Sequence, residues 1–268
     1  MIHYFNGLYI PSDTLMFPAT DRAFQYGDGL FESIVIREQN FSLLPLHLNR
    51  LRHGANLFQI TYKEELNKRQ LAEIITELTA KNRLTGDLRV KLMLWRKEGG
   101  LYTPESREGN LLITVKDWSL PLLQVKEALG ICENVRLSRS PLSACKLISA
   151  APYVLASLEK KAKGADELVL TDAQGNVAEC ISSNLFWKTG SNWYTPGLET
   201  GCLPGTMRQR LIEWMKINKM CLKTGLYAPE QLKQADCIVS TNTASICFYQ
   251  YFLDKKLTTD HSLFDRFK

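Results

Sequence analysis

The fold of this chain depends most on one stretch, Asp21-Arg22-Ala23-Phe24-Gln25-Tyr26-Gly27-Asp28-Gly29-Leu30-Phe31-Glu32-Ser33. Two glycines stand there just before the β-branched run 34–36. Glycine tolerates positive φ and lets a neighbouring segment approach the backbone closely. Gly-Asp-Gly is also common in ordinary turns that lead into a strand. By itself the stretch therefore predicts a turn and a strand, and its meaning depends on the residues that follow.

The bulk composition predicts a globular chain. It has 268 residues, of which 45% are hydrophobic and 23% charged, and this length suits one large or two small domains. No apolar run approaches the roughly 18 residues of a membrane span, and no signal peptide is evident, so we expect a cytoplasmic protein without a membrane partner. The net charge of +5 is spread along the chain. That spread favours small anionic ligands over nucleic acid.

The cysteines and histidines give no pattern typical of a metal site. Seven cysteines are scattered without a Cys-x-x-Cys pair, and the four histidines have no metal-ligand spacing. We therefore expect free, mostly buried thiols in a reducing compartment, and no metal.

Helical and strand periodicities alternate along the whole chain. Leu48, Leu51 and Ala55 share one face of a helix predicted over 45–58, and a second helix is predicted over 64–81. Further helices are predicted near 149–162 and 206–218, with strands between them. The pattern is typical of an α+β protein.

The domain organisation follows from a proline-containing connector. We predict a small N-terminal α/β domain over 1–115, a connector over 116–124, and a C-terminal domain over 125–268 that carries Lys146.

Two basic residues are candidates for chemistry. Arg50 lies on the first amphipathic helix, where its planar guanidinium suits bidentate phosphate binding, although a surface arginine is the ordinary alternative. Lys146 is the one charge in the small, apolar stretch 143–151. A lysine desolvated in this way has a lowered pKa and becomes a usable nucleophile or base. The alternative is a lysine whose charge reaches solvent from a half-buried loop.

An acidic residue and a helix start complete the candidate set. A buried carboxylate at Glu179 needs a cationic partner, which a protonated pyridine nitrogen provides, whereas a glutamate at a hairpin edge is the alternative. Pro204 and Gly205 precede a predicted helix, so the N–H groups of Thr206 and Met207 are left without helical partners. Such an end suits phosphate, although an ordinary helix start is the alternative.

In this order the features resemble the fold-type IV pyridoxal-phosphate enzymes, namely branched-chain aminotransferases, D-amino-acid aminotransferases and aminodeoxychorismate lyase. The matching residues are Asp21-Arg22-Ala, Gly27-Asp28-Gly29-x-Phe31-Glu32, His47-x-x-Arg50-Leu51, Lys146, Glu179 with Ser183-Asn184-Leu-Phe, and Gly205-x-x-Arg208. The resemblance covers nearly the whole chain. It implies a small N-terminal α/β domain, a larger C-terminal pseudobarrel domain, and a homodimer.

The resemblance also implies roles for individual residues. Lys146 would bond to pyridoxal 5′-phosphate and move protons at the substrate Cα, and Glu179 would pair with the pyridine nitrogen. Arg50 and the main chain of Thr206 and Met207 would hold the phosphate. Further cofactor contacts are expected from Ser182, Thr241 and Asn242, and substrate contacts from Phe31, Arg96 and Tyr102.

The reaction remains open between two classes. The turn around Asn242 and the hydroxyl of Ser33 look more like the lyases, which eliminate pyruvate and release 4-aminobenzoate for folate biosynthesis; Ser33 would protonate the leaving carbon. The family often carries arginine where this chain has Val35 and Leu101, which weakens that interpretation. The alternative is an aminotransferase that acts on a branched-chain or related amino acid with 2-oxoglutarate. A non-catalytic protein that binds the cofactor is a third class.

Overall fold

A computed structural model describes residues 1–62, 66–259, 264 and 267. The chain divides into two compact units. The first unit comprises Met1–Ser119 and Cys145–Ser149, and the second comprises Leu120–Ala144 and Ala150–Lys268. Across the described ranges, no helix has both the length and the apolar character needed to cross a membrane.

The first unit is a sheet covered by helices. Its elements are β1 (Ile2–Phe5), β2 (Leu8–Pro11), α1 (Arg22–Tyr26), β3 (Gly29–Ile36), α2 (Leu44–Phe58), α3 (Lys68–Lys81), β4 (Leu88–Arg96) and β5 (Gly109–Asp117). The strands form an antiparallel sheet in the order β2-β1-β5-β4-β3.

The core of the first unit lies between one face of this sheet and the two long helices. Successive strand residues point to opposite faces, so Leu30, Ile34 and Ile36 of β3 face the core while Phe31 and Ser33 face the other way. The helical layer contributes Leu44, Leu48, Leu51, Leu71, Ile75 and Leu78 to the same core. The face that carries Phe31 is therefore left for other contacts.

The helix boundaries follow from the capping residues. Gln59 in the left-handed conformation, with φ of 53°, ends α2, so the prediction over 45–58 is confirmed. The helix predicted over 64–81 begins later, at Lys68, because Asn67 and Gln70 form a reciprocal capping box. Residues 64 and 65 of that prediction lie outside the described residues.

The second unit is larger and is built on a mixed sheet. Its helices are α4 (Ala151–Ala162), α5 (Thr206–Ile217) and α6 (Glu230–Lys233), with short 3-10 turns at Pro141–Ala144 and Leu198–Thr200. Its strands are β6 (Leu123–Leu137), β7 (Glu167–Asp172), β8 (Val177–Cys180), β9 (Asn184–Thr189), β10 (Asn192–Pro196), β11 (Leu222–Gly225), β12 (Cys237–Thr241), β13 (Ile246–Phe252) and β14 (Lys255–Lys256).

The strands of this unit follow the order β11-β10-β9-β12-β13-β6-β7-β8, with β14 paired to β13. Strands β7 and β8 are buried along their whole length, which places Glu179 near the end of a buried strand. The predicted fold class, α+β with a smaller and a larger part, is confirmed.

One assignment differs from the sequence prediction. Lys146 was expected in the C-terminal domain because it follows the connector, yet Cys145–Ser149 packs with the first unit. The reason is backbone pairing with the start of β3. The N–H of Phe31 donates to the Lys146 carbonyl at 2.8 Å, and the N–H of Ile148 donates to the Gly29 carbonyl at 3.0 Å.

Candidate active site

The two glycines of the opening stretch make room for the segment that carries Lys146. Gly27 ends α1 with a φ of +64°, and a Cβ there would lie 2.8 Å from the Cβ of Ser149. A Cβ on Gly29 would lie 2.8 Å from the Ile148 side chain and closer still to Trp95. Only glycine permits this approach, so the Gly-Asp-Gly motif positions Lys146 in the first unit.

The side chain of Lys146 lies beside an aromatic ring. Its Nζ is 4.7 Å from the centroid of the Phe31 ring, within the range of a cation–π contact. Phe31 is half-buried on the sheet face opposite the core, and Ser33 lies on the same face two residues along β3. Lys146, Phe31 and Ser33, all predicted from the sequence, are thus brought to one face of the first unit.

A buried carboxylate fixes the predicted phosphate-binding arginine. Nε of Arg50 donates to Oε1 of Glu32 at 2.8 Å, and a terminal nitrogen donates to Oε2 at 2.6 Å. The bidentate contact holds the guanidinium plane in one orientation. Glu32 appeared in the sequence only as part of the matching motif, and the structure gives it the task of orienting Arg50.

His47 completes this buried group. Burial raises the pKa of Glu32, but the hydrogen bonds from Arg50 and His47 outweigh it and hold that pKa below its usual range. Because an ionised carboxylate only accepts, Nδ1 of His47 is the donor in its 2.7 Å contact with Glu32. Burial lowers the pKa of His47 more than this bond raises it, so the imidazole is neutral at pH 7. The signal in the sequence was the His47-x-x-Arg50 spacing, about one helical turn, which places both side chains on one face of the helix.

Arg96, predicted as a substrate anchor, lies in a buried network of hydrogen bonds within the protein. It is 5% exposed, and its Nε donates to Oδ2 of Asp28 at 2.9 Å. Its terminal nitrogens donate to main-chain carbonyls, those of Phe58, Gln59 and Ser106. These partners lie within the protein, so Arg96 holds the end of α2 and the neighbouring loop together.

Tyr102 lies in a loop fixed by another arginine. A terminal nitrogen of Arg22 donates to the carbonyls of Gly99, Gly100 and Leu101 at 2.7–3.1 Å. Tyr102 itself is 91% exposed, with its ring 5.8 Å from the Tyr26 ring. Its contact with substrate stays a prediction.

In the second unit, Glu179 accepts hydrogen bonds from Tyr153, Asn184 and Leu203. The Tyr153 hydroxyl donates to Oε1 at 2.8 Å, while the Asn184 side-chain amide and the Leu203 N–H donate to Oε2 at 3.2 and 3.0 Å. Glu179 is 4% exposed. Burial, and then the charge of Glu179, raises the pKa of Tyr153 far above its usual range, so the phenol remains a donor. A carboxylate held in this way can pair with a cationic nitrogen.

The start of α5 suits an anion. Its N-cap residue is Gly205, and no side chain caps the helix. A Cβ on Gly205 would collide with the Asn184 side chain that contacts Glu179. Thr206 and Met207 are buried in the first turn, at the positive end of the helix dipole. The helix start and Glu179 are therefore joined through Asn184.

The turn after β12 is ordered by Asn242. Its Oδ1 accepts from the N–H groups of Ala244 and Ser245, and its Nδ2 donates to the Ser182 carbonyl at 3.0 Å. The side-chain amide thus ties the turn to Ser182. Thr241 is 1% exposed, and its hydroxyl has no hydrogen-bond partner within the described part of the chain. The cofactor contacts expected of these residues stay predictions.

Comparisons with known proteins find related sequences. The family model described as amino-transferase class IV matches residues 29–248. An aminodeoxychorismate lyase from Bacillus subtilis is 32% identical over 90% of this chain and 82% of its own length. A branched-chain-amino-acid aminotransferase from Salmonella typhimurium is 23% identical over 90% and 81%.

Solved structures share the fold. A branched-chain amino acid aminotransferase from Escherichia coli superposes with a TM-score of 0.86 at 20% identity, covering 96% of this chain and 88% of its own. A branched-chain aminotransferase from the archaeon Thermoproteus uzoniensis, solved with norvaline, gives 0.85 at 20% identity, covering 97% and 89%. These similarities extend over both units.

Proposed function

Because the chain belongs to the class IV aminotransferase family, whose members are pyridoxal-phosphate-dependent enzymes, we propose that it binds this cofactor through Lys146. The proposal is supported by the match over residues 29–248 and by the position of Lys146. Its segment is paired with β3 rather than lying in an open loop, and its Nζ lies beside the Phe31 ring.

The residues present fit the charges of the cofactor. Glu179, with both oxygens fixed, pairs with the pyridine nitrogen and keeps it protonated. Arg50, oriented by Glu32, and the uncapped start of α5 at Thr206 and Met207 bind the phosphate dianion. When bound, pyridoxal phosphate supplies an electron sink for negative charge at the substrate carbon.

The residues of this chain then orient groups and move protons. Nζ of Lys146 takes the proton from the substrate carbon that bears the amine. As the C–O bond between the ring and the enolpyruvyl group breaks, the hydroxyl of Ser33, on the same sheet face as Phe31, donates a proton to the enolpyruvyl methylene carbon, which leaves as pyruvate. The proton that Lys146 has taken then restores the Ser33 hydroxyl. Tyr153 keeps Glu179 in place throughout.

The reaction is the elimination of pyruvate from aminodeoxychorismate, with release of 4-aminobenzoate. One observation carries this choice: the 32% identity to the Bacillus subtilis lyase, against 23% to the Salmonella typhimurium aminotransferase over the same share of the chain. Ser33 beside the Lys146 face is the supporting feature. The alternative remains a class IV aminotransferase that uses 2-oxoglutarate.

The protein acts as a cytoplasmic homodimer in this proposal. Helix α4 supports the pairing because its Val154, Leu155 and Leu158 side chains are 57–60% exposed. Apolar side chains exposed next to one another on one helix are typical of a surface that a second chain covers.

The test uses two incubations of the protein loaded with pyridoxal phosphate. One contains aminodeoxychorismate, and the other contains leucine with 2-oxoglutarate. Release of 4-aminobenzoate without formation of glutamate is the expected result, and the reverse outcome overturns the lyase assignment. In the Ser33→Ala variant, we expect turnover to fall by about 10²-fold or more, the usual loss for a missing general acid. Undiminished lyase turnover in that variant removes Ser33 from the mechanism.

A further inference from the structure

Arg208, in the first turn of α5, is a buried arginine whose side chain reaches the end of a neighbouring strand. It is 6% exposed, and its Nη2 donates to the main-chain carbonyl of Pro196 at 2.9 Å. Nε is also buried and has no hydrogen-bond partner among the described residues. Burial lowers the pKa of Arg208, whereas Cys202, Glu179 and Glu199 nearby act in the opposite direction. Burying a charged side chain is costly, which indicates that the contact with Pro196 does something that an apolar side chain would not do.

The contact with Pro196 closes the segment that leads to Glu179. Pro196 ends β10, and the chain then runs through a short 3-10 turn to Leu203. The N–H of Leu203 donates to Oε2 of Glu179 at 3.0 Å, and its carbonyl accepts from the N–H of the N-cap residue of α5 at 2.8 Å. We call residues 196–205 the connecting segment. Arg208 ties α5 to the beginning of this segment, whose later part holds Glu179.

The connecting segment joins the two groups that bind opposite ends of the cofactor in the proposed function. The start of α5 binds the phosphate, and Glu179 pairs with the ring nitrogen. A ligand gains from binding at both ends only when the two sites are held at a matching distance. One tie between them is Asn184, whose side-chain amide donates to Glu179 at 3.2 Å and to the Leu203 carbonyl at 2.7 Å. Arg208 supplies a second tie, from the side of α5.

We propose that Arg208 is a positioning residue that fixes the distance between the phosphate-binding start of α5 and Glu179. The proposal rests on the proposed function, since it takes both groups as cofactor contacts. Arg208 acts through the connecting segment because its hydrogen bond goes to the main chain of Pro196. Loss of that hydrogen bond leaves both contact groups in place and lets their spacing vary. Affinity for the whole cofactor then falls, while affinity for each end by itself does not.

The experiment measures three dissociation constants on the full-length, cofactor-free protein by tryptophan fluorescence. The ligands are pyridoxine 5′-phosphate, pyridoxine and inorganic phosphate, none of which has an aldehyde that bonds to Lys146. The product of the constants for pyridoxine and phosphate, divided by the constant for pyridoxine 5′-phosphate, is the effective concentration of one end once the other is bound. In Arg208→Met we expect this effective concentration to fall about tenfold, with the constants for pyridoxine and for phosphate within about twofold of wild type.

Two further variants complete the comparison. Arg210→Met is the matched control because it removes the same charge from the same helix, at a half-buried position over the Phe267 ring. We expect it to leave the effective concentration unchanged. If Arg208→Met does not fold, Arg208→Gln takes its place with the same expected fall, since its side chain is too short to reach Pro196.

The outcomes distinguish the role of Arg208 from the cofactor assignment. An unchanged effective concentration in the Arg208 variant overturns the positioning role and leaves the cofactor assignment standing. Weaker binding of pyridoxine and of phosphate, without a fall in effective concentration, also overturns that role, because it indicates a general loss of structure. A wild-type protein that binds none of the three ligands overturns the proposed function, and the role of Arg208 with it.

Discussion

The Tyr153 hydroxyl donates a 2.8 Å hydrogen bond to Oε1 of Glu179, and both residues belong to the second unit. The other oxygen of Glu179 is held by Asn184 and the Leu203 N–H. Tyr153 thus holds Oε1 of this carboxylate, whereas Asn184 and Leu203 hold Oε2. It makes Glu179 a stationary charge rather than a mobile side chain.

We predict that Tyr153→Phe weakens cofactor binding about tenfold. The ring is kept, but Glu179 loses one charge-assisted hydrogen bond, a contact of about 1.5 kcal/mol or more. The measurement is a titration of cofactor-free protein with pyridoxal phosphate, followed by tryptophan fluorescence. Tyr194→Phe is the matched control because Tyr194 stacks on Trp187 in the same unit. Equal affinities for Tyr153→Phe and wild type contradict this role.

We expect the free energy of unfolding to fall as the pH falls, because His47 titrates differently in the folded and unfolded chains. Its folded pKa lies below the ordinary value of 6.5, so the unfolded chain takes up the proton first as pH falls. The contribution of His47 to the free energy of unfolding is fully present above about pH 6.5. It is lost as the pH falls toward the folded pKa, with a slope of at most about 1.4 kcal/mol per pH unit. Glu32, whose folded pKa is also lowered, adds a loss of the same sign at more acidic pH.

Urea unfolding at a series of pH values from 7 downward checks this prediction. In His47→Asn, the slope of unfolding free energy against pH just below 6.5 becomes shallower, whatever the absolute stability of the variant. An identical slope in the variant and in wild type excludes His47 as the source.

Arg96→Met is expected to reduce stability and to leave substrate affinity nearly unchanged. The substitution removes an interaction with Asp28 and donors to three carbonyls in a buried position, so we expect a loss of about 3 kcal/mol or more in unfolding free energy. Lys97→Met, which breaks an exposed pair with Glu108, costs less than about 1 kcal/mol. A large rise in KM in the folded Arg96→Met variant would restore its predicted role as a substrate anchor.

Local sequence signals predicted much of the fold. Apolar periodicity predicted the helices near 45–58, 149–162 and 206–218, and the structure has them at Leu44–Phe58, Ala151–Ala162 and Thr206–Ile217. These signals are local because a helical face repeats within a few residues. The start of α3 was predicted too early. The capping box of Asn67 and Gln70 sets this start, and the pattern of apolar residues carries no information about it.

Contacts between residues far apart in the sequence explain the features that the sequence did not predict. Lys146 was assigned by its place in the chain, yet hydrogen bonds to Gly29 and Phe31, more than a hundred residues earlier, tie its segment to the first unit. Tyr153 had no signal because its partner Glu179 is 26 residues away. Arg96 was predicted to bind substrate because of its charge. The main-chain carbonyls that accept its hydrogen bonds come near it only when the chain folds.

The central claim is that Lys146 bonds to pyridoxal phosphate. The most direct measurement is peptide mass spectrometry of the protein after incubation with the cofactor and reduction with borohydride. The account predicts a visible absorbance band that borohydride bleaches, a phosphopyridoxyl adduct on the peptide containing Lys146, and loss of both in Lys146→Ala. A colourless protein that takes up no cofactor, or an adduct confined to another lysine such as Lys91, would contradict it.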